Sequence, residues 1–569
     1  MSHAERQFDV VVVGGTPGGV AAALSAGRAD RKVLLIESNR HIGGMSASGL
    51  GKSDVENRHL IGGLFREFTD RVRRHYLDRY GEDSRDFELC RDGYCFEPSV
   101  AEAVFSQMLE ECPQVTVLTQ HRLVQAEVSG NVLTRIEIAD CSEHEPTALA
   151  AGLGLRNVPV TRPRLAPSAQ RDDAGPQAGS VRHFWCSAGV FIDATYEGDL
   201  LAAAGAEYRL GRESRDEFDE PHAGVVYFDY QTGEFLPGTT GERDSRLPAY
   251  TYRLCLTTDP GNAHVLTEPP SNYRRENYTG YFDDLASGRL SGPKHVKLGR
   301  GYHSAHFDTM VRALSVTEIP NQKTDVNINP RPLGFPFPEE NAGYVEGDDA
   351  TRQRICERHR NLTLGLLWFL QNDDEIPEAH RVIAQQYHLP RDEFTDNDHF
   401  PFQLYVRESR RLVGEYTLTE HDMTSRAGEP SDHADTIAVG EFPIDSFPCR
   451  KRQPGNTVVL EGYLGMLDSI TRPYGIPYRI LIPKSIDGLI VPVAASTTHV
   501  AYSSIRMEPT WMALGQAAGT AAHLALQLDA EPRAVPVRQL QSMLKDQGQV
   551  LEHAVCSSTI ELSVTENSL

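Results

Sequence analysis

The chain has no clustered cysteines, is short of positive charge and lacks a long apolar run, and each lack narrows what it can be. Nine cysteines are scattered through 569 residues, and no two stand in a C-x-x-C spacing. That excludes a disulfide scaffold and leaves zinc-ribbon or iron–sulfur ligation without support, so no metal site is expected. Lys and Arg number 56 against 79 Asp and Glu, a formal charge of −23. Such a balance argues against a nucleic-acid or anionic-membrane partner, though it leaves room for a local basic pocket. No stretch approaches the ~18 apolar residues of a spanning helix. The opening residues, Met1 to Gln7, carry no apolar leader core. The expectation is a soluble, cytoplasmic protein, its 40% hydrophobic content ample for a buried core.

What is present begins at residue 8. Phe8 to Val13 reads as a short apolar strand, followed by the turn Gly14-Gly15-Thr16-Pro17-Gly18-Gly19 and a helix-forming run rich in alanine. A second strand, Lys32 to Ile36, ends in Glu37. This order is the β–turn–α–β unit that holds a dinucleotide: glycines let the backbone approach the pyrophosphate, and the helix N-terminus faces its charge. Glu37 is placed to accept hydrogen bonds from ribose hydroxyls. Against G-x-G-x-x-G the outer positions are Gly14 and Gly19, but Thr16 stands at the middle one. After Glu37 the chain runs Ser38, Asn39, Arg40, His41, Ile42 and then the pair Gly43-Gly44, with Met45 and Ser48 following. An acid, a short gap and a glycine pair point to a flavin rather than a nicotinamide dinucleotide. The candidate cofactor-binding residues here are Gly14, Thr16, Pro17, Gly18, Gly19, Glu37, Ser38, Arg40, Gly43, Gly44, Met45 and Ser48.

The far end adds the apolar run Ile486 to Ala494, which reads as a strand, then Arg506-Met507-Glu508-Pro509 and the small-residue stretch from Gly515 to Ala522. Together with FIDATYEGDLLAAAGAEYRLGRES, IPNQKTDVN and YVRESRRLVGEYTLT, these segments resemble the FAD-dependent oxidoreductase family, whose members are often labelled xanthan lyase-like or heterodisulfide reductase A-like. The resemblance spans almost the whole chain and implies FAD. It implies an α/β fold: a Rossmann-type FAD-binding domain of the two-dinucleotide-binding-domain flavoprotein type, with a large inserted α+β substrate or cap domain. Under it, the strand ending in Asp193 passes near the FAD phosphates and ribityl; Asp193 is a cofactor contact or, equally, the N-cap of the following helix. The helix carrying Gly515 and Ala518 would bring its N-terminus to the flavin pyrimidine ring.

A flavin dehydrogenase needs a group to take the proton while hydride goes to the ring. His499, Arg506 and His303, the last beside Tyr302 and His306, are the candidates. His41 offers a covalent flavin link as an alternative to simple packing. Arg407, Arg410 and Arg411 fall at helical spacings and could share one face, either binding an anion or forming a salt-bridged surface. No second strand–glycine turn–helix unit occurs, so a built-in NAD(P)H domain is not expected. Cys90 and Cys95 lie too far along to act as the dithiol of a disulfide reductase.

The expected organisation is an FAD-binding part over 7–224, with a Pro- and Ala-rich surface insertion at 141–181, a cap over 225–450, a second FAD-binding part over 451–530 and a helical tail over 531–569. The expected activity is hydride removal from a C–H bond next to oxygen or nitrogen of a small polar substrate, with oxygen or a carrier protein as final acceptor. Two other readings stay open: a flavin monooxygenase using external NAD(P)H, and a non-redox flavin-containing lyase or binding protein.

Overall fold

Four consecutive valines, Val10 to Val13, form the central strand β2 of a five-stranded parallel sheet in the computed structural model. The structure describes residues 5–142, 183–229, 232–286, 314–328, 337–424, 433–451 and 459–552. The 141–181 insertion falls almost wholly outside them, as do His303 with its neighbours Tyr302 and His306 and the end of the tail. The sheet order is β12 (Leu489–Ile490), β8 (Val190–Asp193), β2, β3 (Val33–Ile36) and β4 (Val115–Leu118). Every residue of β2, β3 and β8 is buried, as expected when both faces of a parallel sheet are covered.

The alternation of side chains along β2 sorts the two covers. Val10 and Val12 pack under α1 (Pro17–Arg28) and α7 (Glu508–Leu528). Val11 and Val13 face a second sheet, built from β1 (Glu5–Gln7), β5 (His121–Ser129), β6 (Val132–Asp140) and β7 (His183–Ser187) in the order β1-β7-β6-β5. Helices α1 and α7 touch closely because small residues meet. A Cβ on Gly515 would collide with the Gly18 carbonyl oxygen, and one on Gly519 with that of Ala22. Ser25 Oγ adds a bond to the Gln516 carbonyl at 3.0 Å. The expected strand over 486–494 shrinks to Leu489–Ile490. Pro492, two residues on, has no N–H to give a ladder.

The middle of the chain supplies an antiparallel sheet of β9 (Leu254–Thr257), β11 (Lys323–Ile328) and β10 (Leu314–Ile319), in that order. It also supplies the long helix α5 (Asp349–Asn372), capped by Asp348, which accepts from Thr351 N. Further helices are α2 (Gly63–Tyr80), α3 (Pro98–Glu110), α4 (Asp199–Ala203) and α6 (His499–Ile505). Among the described residues no helix is long and apolar enough to cross a membrane. The architecture is the expected mixed α/β fold with a Rossmann-type parallel sheet.

Candidate functional site

In a parallel α/β sheet, ligands bind beyond the carboxyl ends of the strands. Here β2, β3 and β8 end at Val13, Ile36 and Asp193, and a cavity of about 1820 Å³ opens beside them. Its wall includes Gly14, Thr16, Glu37, Ser38, His41 and Gly44 on the sheet side, and Tyr252, Tyr344, Arg352, Leu404 and Arg410 from the middle of the chain.

The turn after β2 is tied together from several directions. Thr16, standing where the fingerprint has glycine, is the N-cap of α1: its hydroxyl accepts from Gly19 N at 3.1 Å and donates to the Ala194 carbonyl at 2.9 Å. Pro17 occupies the first helical position, where no N–H is needed. Glu37 Oε2 accepts from Gly15 N at 2.6 Å and Oε1 from Asn39 N at 2.7 Å. A carboxylate has about four lone-pair positions, so ribose hydroxyls still find acceptors. Gly43 N donates to the Gly15 carbonyl at 2.7 Å, which ties the glycine pair to the dinucleotide turn. Gly44 sits at φ +48°, and a Cβ there would strike the Tyr196 hydroxyl. Glycine is required at that point, and the backbone lies bare against the cavity. These features suit the phosphates and ribose of FAD.

Ser38 stays at the cavity wall, while Arg40 points outward to Asp396 at 3.4 Å. Asp193 is buried and fully engaged. Its Oδ1 accepts from Thr195 N and Oγ1, its Oδ2 from Leu201 N in α4, and burial pushes its carboxyl up to about 6. That is capping geometry rather than an open acceptor. Gly515 and Ala518 lie within α7, well past its first turn, and the small size of Gly515 serves the contact with α1. Both nitrogens of His41 are occupied: Nδ1 by Glu102 at 2.9 Å and Nε2 by Asp396 at 3.2 Å, with Phe402 stacked at 4.5 Å. Burial opposes its charge, but the two carboxylates prevail and push it up to about 9. A cationic ring so held is a poor nucleophile.

Of the expected catalytic residues, His303 lies outside the described residues, and the structure places His499 and Arg506 away from the cavity wall. His499 opens α6 and gives Nδ1 to Glu408 at 2.7 Å, while its backbone N donates to Glu213. Arg506 donates to the Tyr405 hydroxyl at 2.8 Å and the Asp445 carbonyl at 2.7 Å. Neither lines the cavity. The three arginines expected on one helical face lie in extended chain, and they diverge. Arg410 reaches Asp199 at 2.9 Å, and Arg411 reaches Glu213 at 2.7 Å and the Gly211 carbonyl. Among the described residues Arg407 makes no ion pair; it donates to the Ala249 carbonyl at 2.8 Å and to Asn327 Oδ1 at 3.3 Å. The segment is not helical because its N–H groups pair elsewhere: Tyr405 N with the Thr251 carbonyl, Leu412 N with that of Ala494, and Val413 N with that of Glu207.

Two residues with no assigned role complete the site. Tyr196 lines the cavity. Its hydroxyl accepts from Met45 N at 3.0 Å and donates to Glu508 Oε1 at 2.7 Å. Glu508, at the first position of α7, is buried, and its Oε2 has no hydrogen-bond partner among the described residues. Burial and the nearby Asp54 charge push its carboxyl up to about 8, against the Tyr196 bond. In sequence, an acid beside Pro509 at a helix start reads as an exposed charge facing the helix dipole. Only its burial marks it.

The structure is similar to that of a geranylgeranyl bacteriochlorophyll reductase-like protein from Thermoplasma acidophilum, with 11% identity over 96% of this chain and 85% of that one, and a TM-score of 0.34. It is also similar to the OxyS anhydrotetracycline hydroxylase of Streptomyces rimosus, with 13% identity over 40% of this chain and 41% of that one, at a TM-score of 0.21. A third likeness is to the L-proline dehydrogenase of P. horikoshii, with 12% identity over 38% of this chain and 26% of that one, at 0.18. The chain therefore spans less than half the length of the hydroxylase and of the dehydrogenase. No curated protein matches it significantly. The model of the FAD dependent oxidoreductase family matches residues 9–153 and 177–544. FAD is therefore its cofactor, and the chain belongs to the FAD-dependent oxidoreductase family.

Proposed function

We propose that the protein removes a hydride from a C–H bond next to oxygen or nitrogen of a small polar molecule, and that oxygen or a carrier protein takes the electrons onward. The observation that supports this reading is the continuity of the cavity. It runs from the dinucleotide turn at Gly14 and Glu37, past Gly44 and Tyr196, to side chains from the middle of the chain such as Tyr252 and Leu404. Cofactor and substrate can share it.

FAD supplies the acceptor of the hydride. The chain supplies the rest. The turn at Gly14 and the N-terminus of α1 hold the phosphates, and Glu37 holds a ribose. The middle of the chain, which we assign as the cap, closes over the substrate and limits water. The substrate O–H or N–H loses its proton as its C–H loses hydride, leaving a C=O or C=N product. Tyr196 Oη, held between Met45 N and Glu508 Oε1, receives that proton and passes its own to Glu508. A buried acid with a value near neutrality suits such work. In this reading the proton acceptor is the Tyr196–Glu508 pair rather than His499.

The test is an absorption spectrum of the purified protein and of the supernatant after heating, followed by anaerobic addition of a panel of alcohols, amines and hydroxy acids. A released flavin spectrum and bleaching by one class of substrate support the reading. A flavin that only NAD(P)H bleaches turns it toward a monooxygenase, and one that nothing bleaches turns it toward a non-redox role.

A further inference from the structure

Two groups of arginines differ in what they can reach. The loop that leaves the glycine pair ends at the first. Gly51 N donates to Asp325 Oδ1 at 3.3 Å, and Arg253, Arg407 and Arg506 gather there with Asp54, Asp325 and Asp445. These three arginines are buried, and none lines the cavity. Arg352 and Arg410 form the second group. Both line the cavity, with 20% and 9% of their side chains exposed. They close on one carboxylate, Asp199, which lines it too. Arg352 grips both oxygens, at 2.6 and 2.7 Å, and Arg410 reaches Oδ1 at 2.9 Å. Their other bonds go to the backbone carbonyls of Glu197, Tyr344 and Val345, which carry no net charge. Burial works against the charge of Asp199, but the two guanidiniums prevail and hold its carboxyl below the usual range. Glu197 goes the other way: burial and the Asp199 charge push its carboxyl up, against Arg352 and the Tyr344 hydroxyl. Two guanidiniums to one firmly ionised carboxylate make the trio a net cation.

The end of β8 fixes where that cation stands. Thr16, the cap of α1, donates to the Ala194 carbonyl at 2.9 Å. Thr195, the next residue, lines the cavity, and its Oγ1 accepts from Asp199 N at 2.9 Å. The trio is therefore tied to the same short stretch of chain as the N-terminus of α1. Positive charge is needed there. The residues after β3 and β8 set Glu37, Glu197 and Asp199 in the cavity wall beside the dinucleotide turn, and a pyrophosphate entering meets like charge. Backbone N–H groups and the helix dipole offset part of that repulsion. Guanidiniums are well shaped for the remainder, since their fork matches phosphate oxygens. One of the two comes from α5, whose residues Asp349, Arg352, Cys356, Arg360 and Leu364 line the cavity at spacings of three and four, along one face. The start of α5 is held to the strands at the turn by Arg352 on Asp199, by Arg122 of β5 on Asp349, and by Tyr344 Oη, which donates to Glu197 Oε1 at 2.9 Å.

We propose that Arg352 and Arg410, gathered on Asp199, supply the positive charge that balances the FAD pyrophosphate, so that a helix from the middle of the chain is part of the cofactor site. FAD being the cofactor is all that this requires, whichever substrate is oxidised. The test titrates the full-length apoprotein by calorimetry with FAD, ADP and adenosine, ADP keeping the diphosphate that adenosine lacks. Arg352→Gln and Arg410→Gln should each raise the dissociation constants of FAD and ADP at least about tenfold and leave that of adenosine within about twofold. Added KCl should weaken FAD binding less steeply in these variants than in the wild type. Lys at either position keeps the charge and should hold FAD within about threefold of the wild-type constant. A second measurement needs no variant: FAD added to the wild-type apoprotein should slow hydrogen exchange over 349–364. Unchanged FAD and ADP constants in both Gln variants overturn the proposal. So does an equal loss for adenosine and ADP, which marks a damaged fold, or a Lys variant as weak as its Gln counterpart, which marks lost shape rather than lost charge. Should the Gln variants fail to fold, the exchange experiment decides, and no protection of 349–364 by FAD overturns the assignment.

Discussion

The dinucleotide turn and the arginine cluster are joined by one loop, residues 43–51, and they are made in different ways. The turn is backbone and small residues: Gly14, Gly15, the N–H groups at the start of α1, and a single carboxylate, Glu37, twenty-two residues after Gly15. The cluster is large charged side chains gathered from separate stretches of chain, with Arg253, Asp325, Tyr405, Arg407, Asp445 and Arg506 brought within reach of one another. Backbone can hold a phosphate wherever a helix begins. A cluster of buried charges can be held only where the rest of the fold already stands around it. The first region is thus assembled locally, and the second is a product of the whole molecule.

Four changes would break or sharpen this contrast. The largest effect belongs to the small-residue contact beneath the turn. Gly515→Val forces a branched side chain against the Gly18 carbonyl, and overpacking of this kind should cost about 3 kcal/mol or more. Thermal melting together with the flavin-to-protein ratio measures it, and a variant that melts like wild type with full FAD would show that α1 and α7 yield easily.

Next comes Glu508→Gln. Flavin should remain bound, while the rate of anaerobic bleaching falls about 100-fold. The base must be ionised to accept a proton, and its carboxyl is pushed up to about 8. The wild-type rate should therefore climb with pH through that value, and the variant's should be flat. Stopped-flow bleaching across pH 6 to 10, with Tyr196→Phe alongside, reads both; an unaltered pH profile removes the pair from the chemistry.

Glu37→Gln sharpens the turn's side of the comparison. Losing the charge that Gly15 N and Asn39 N bind should raise the FAD dissociation constant about tenfold, or 1.4 kcal/mol, with bleaching by bound flavin little changed. Equilibrium titration of the apoprotein with FAD measures it. The smallest kinetic effect belongs to His499→Gln. With its imidazole turned to Glu408 and away from the cavity, bleaching should change less than about threefold, and stability should drop by about 1 to 2 kcal/mol from the lost buried bond. A hundredfold slower rate would restore His499 as the proton acceptor.

The N-terminal unit was legible because its signals are short in range. The valines of β2, the cap and proline of α1 and the acid after β3 each act through neighbours a few residues away or through a single strand pairing. Thr16 is instructive: it breaks the glycine fingerprint, yet a hydroxyl at an N-cap does by side chain what the turn needs. Other elements misled. Pro492 cut short a strand that its apolar neighbours promised. The spacing of Arg407, Arg410 and Arg411 suggested one helical face, but their partners lie in three directions and the backbone bonds of that stretch go to distant chain.

Taken alone, the sequence determined the dinucleotide unit, the flavin preference of the glycine pair and the class of fold, because periodicity, turn chemistry and helix capping are local. Only the tertiary structure decided which charges are buried and which of those have partners. Burial is a property of what packs around a residue. In the chain Glu508 reads as an ordinary surface charge and Arg407 as part of a salt-bridged or anion-binding face; only when α7, the 401–412 segment and the glycine loop close on one another do they become a buried acid and a buried guanidinium that, among the described residues, makes no ion pair.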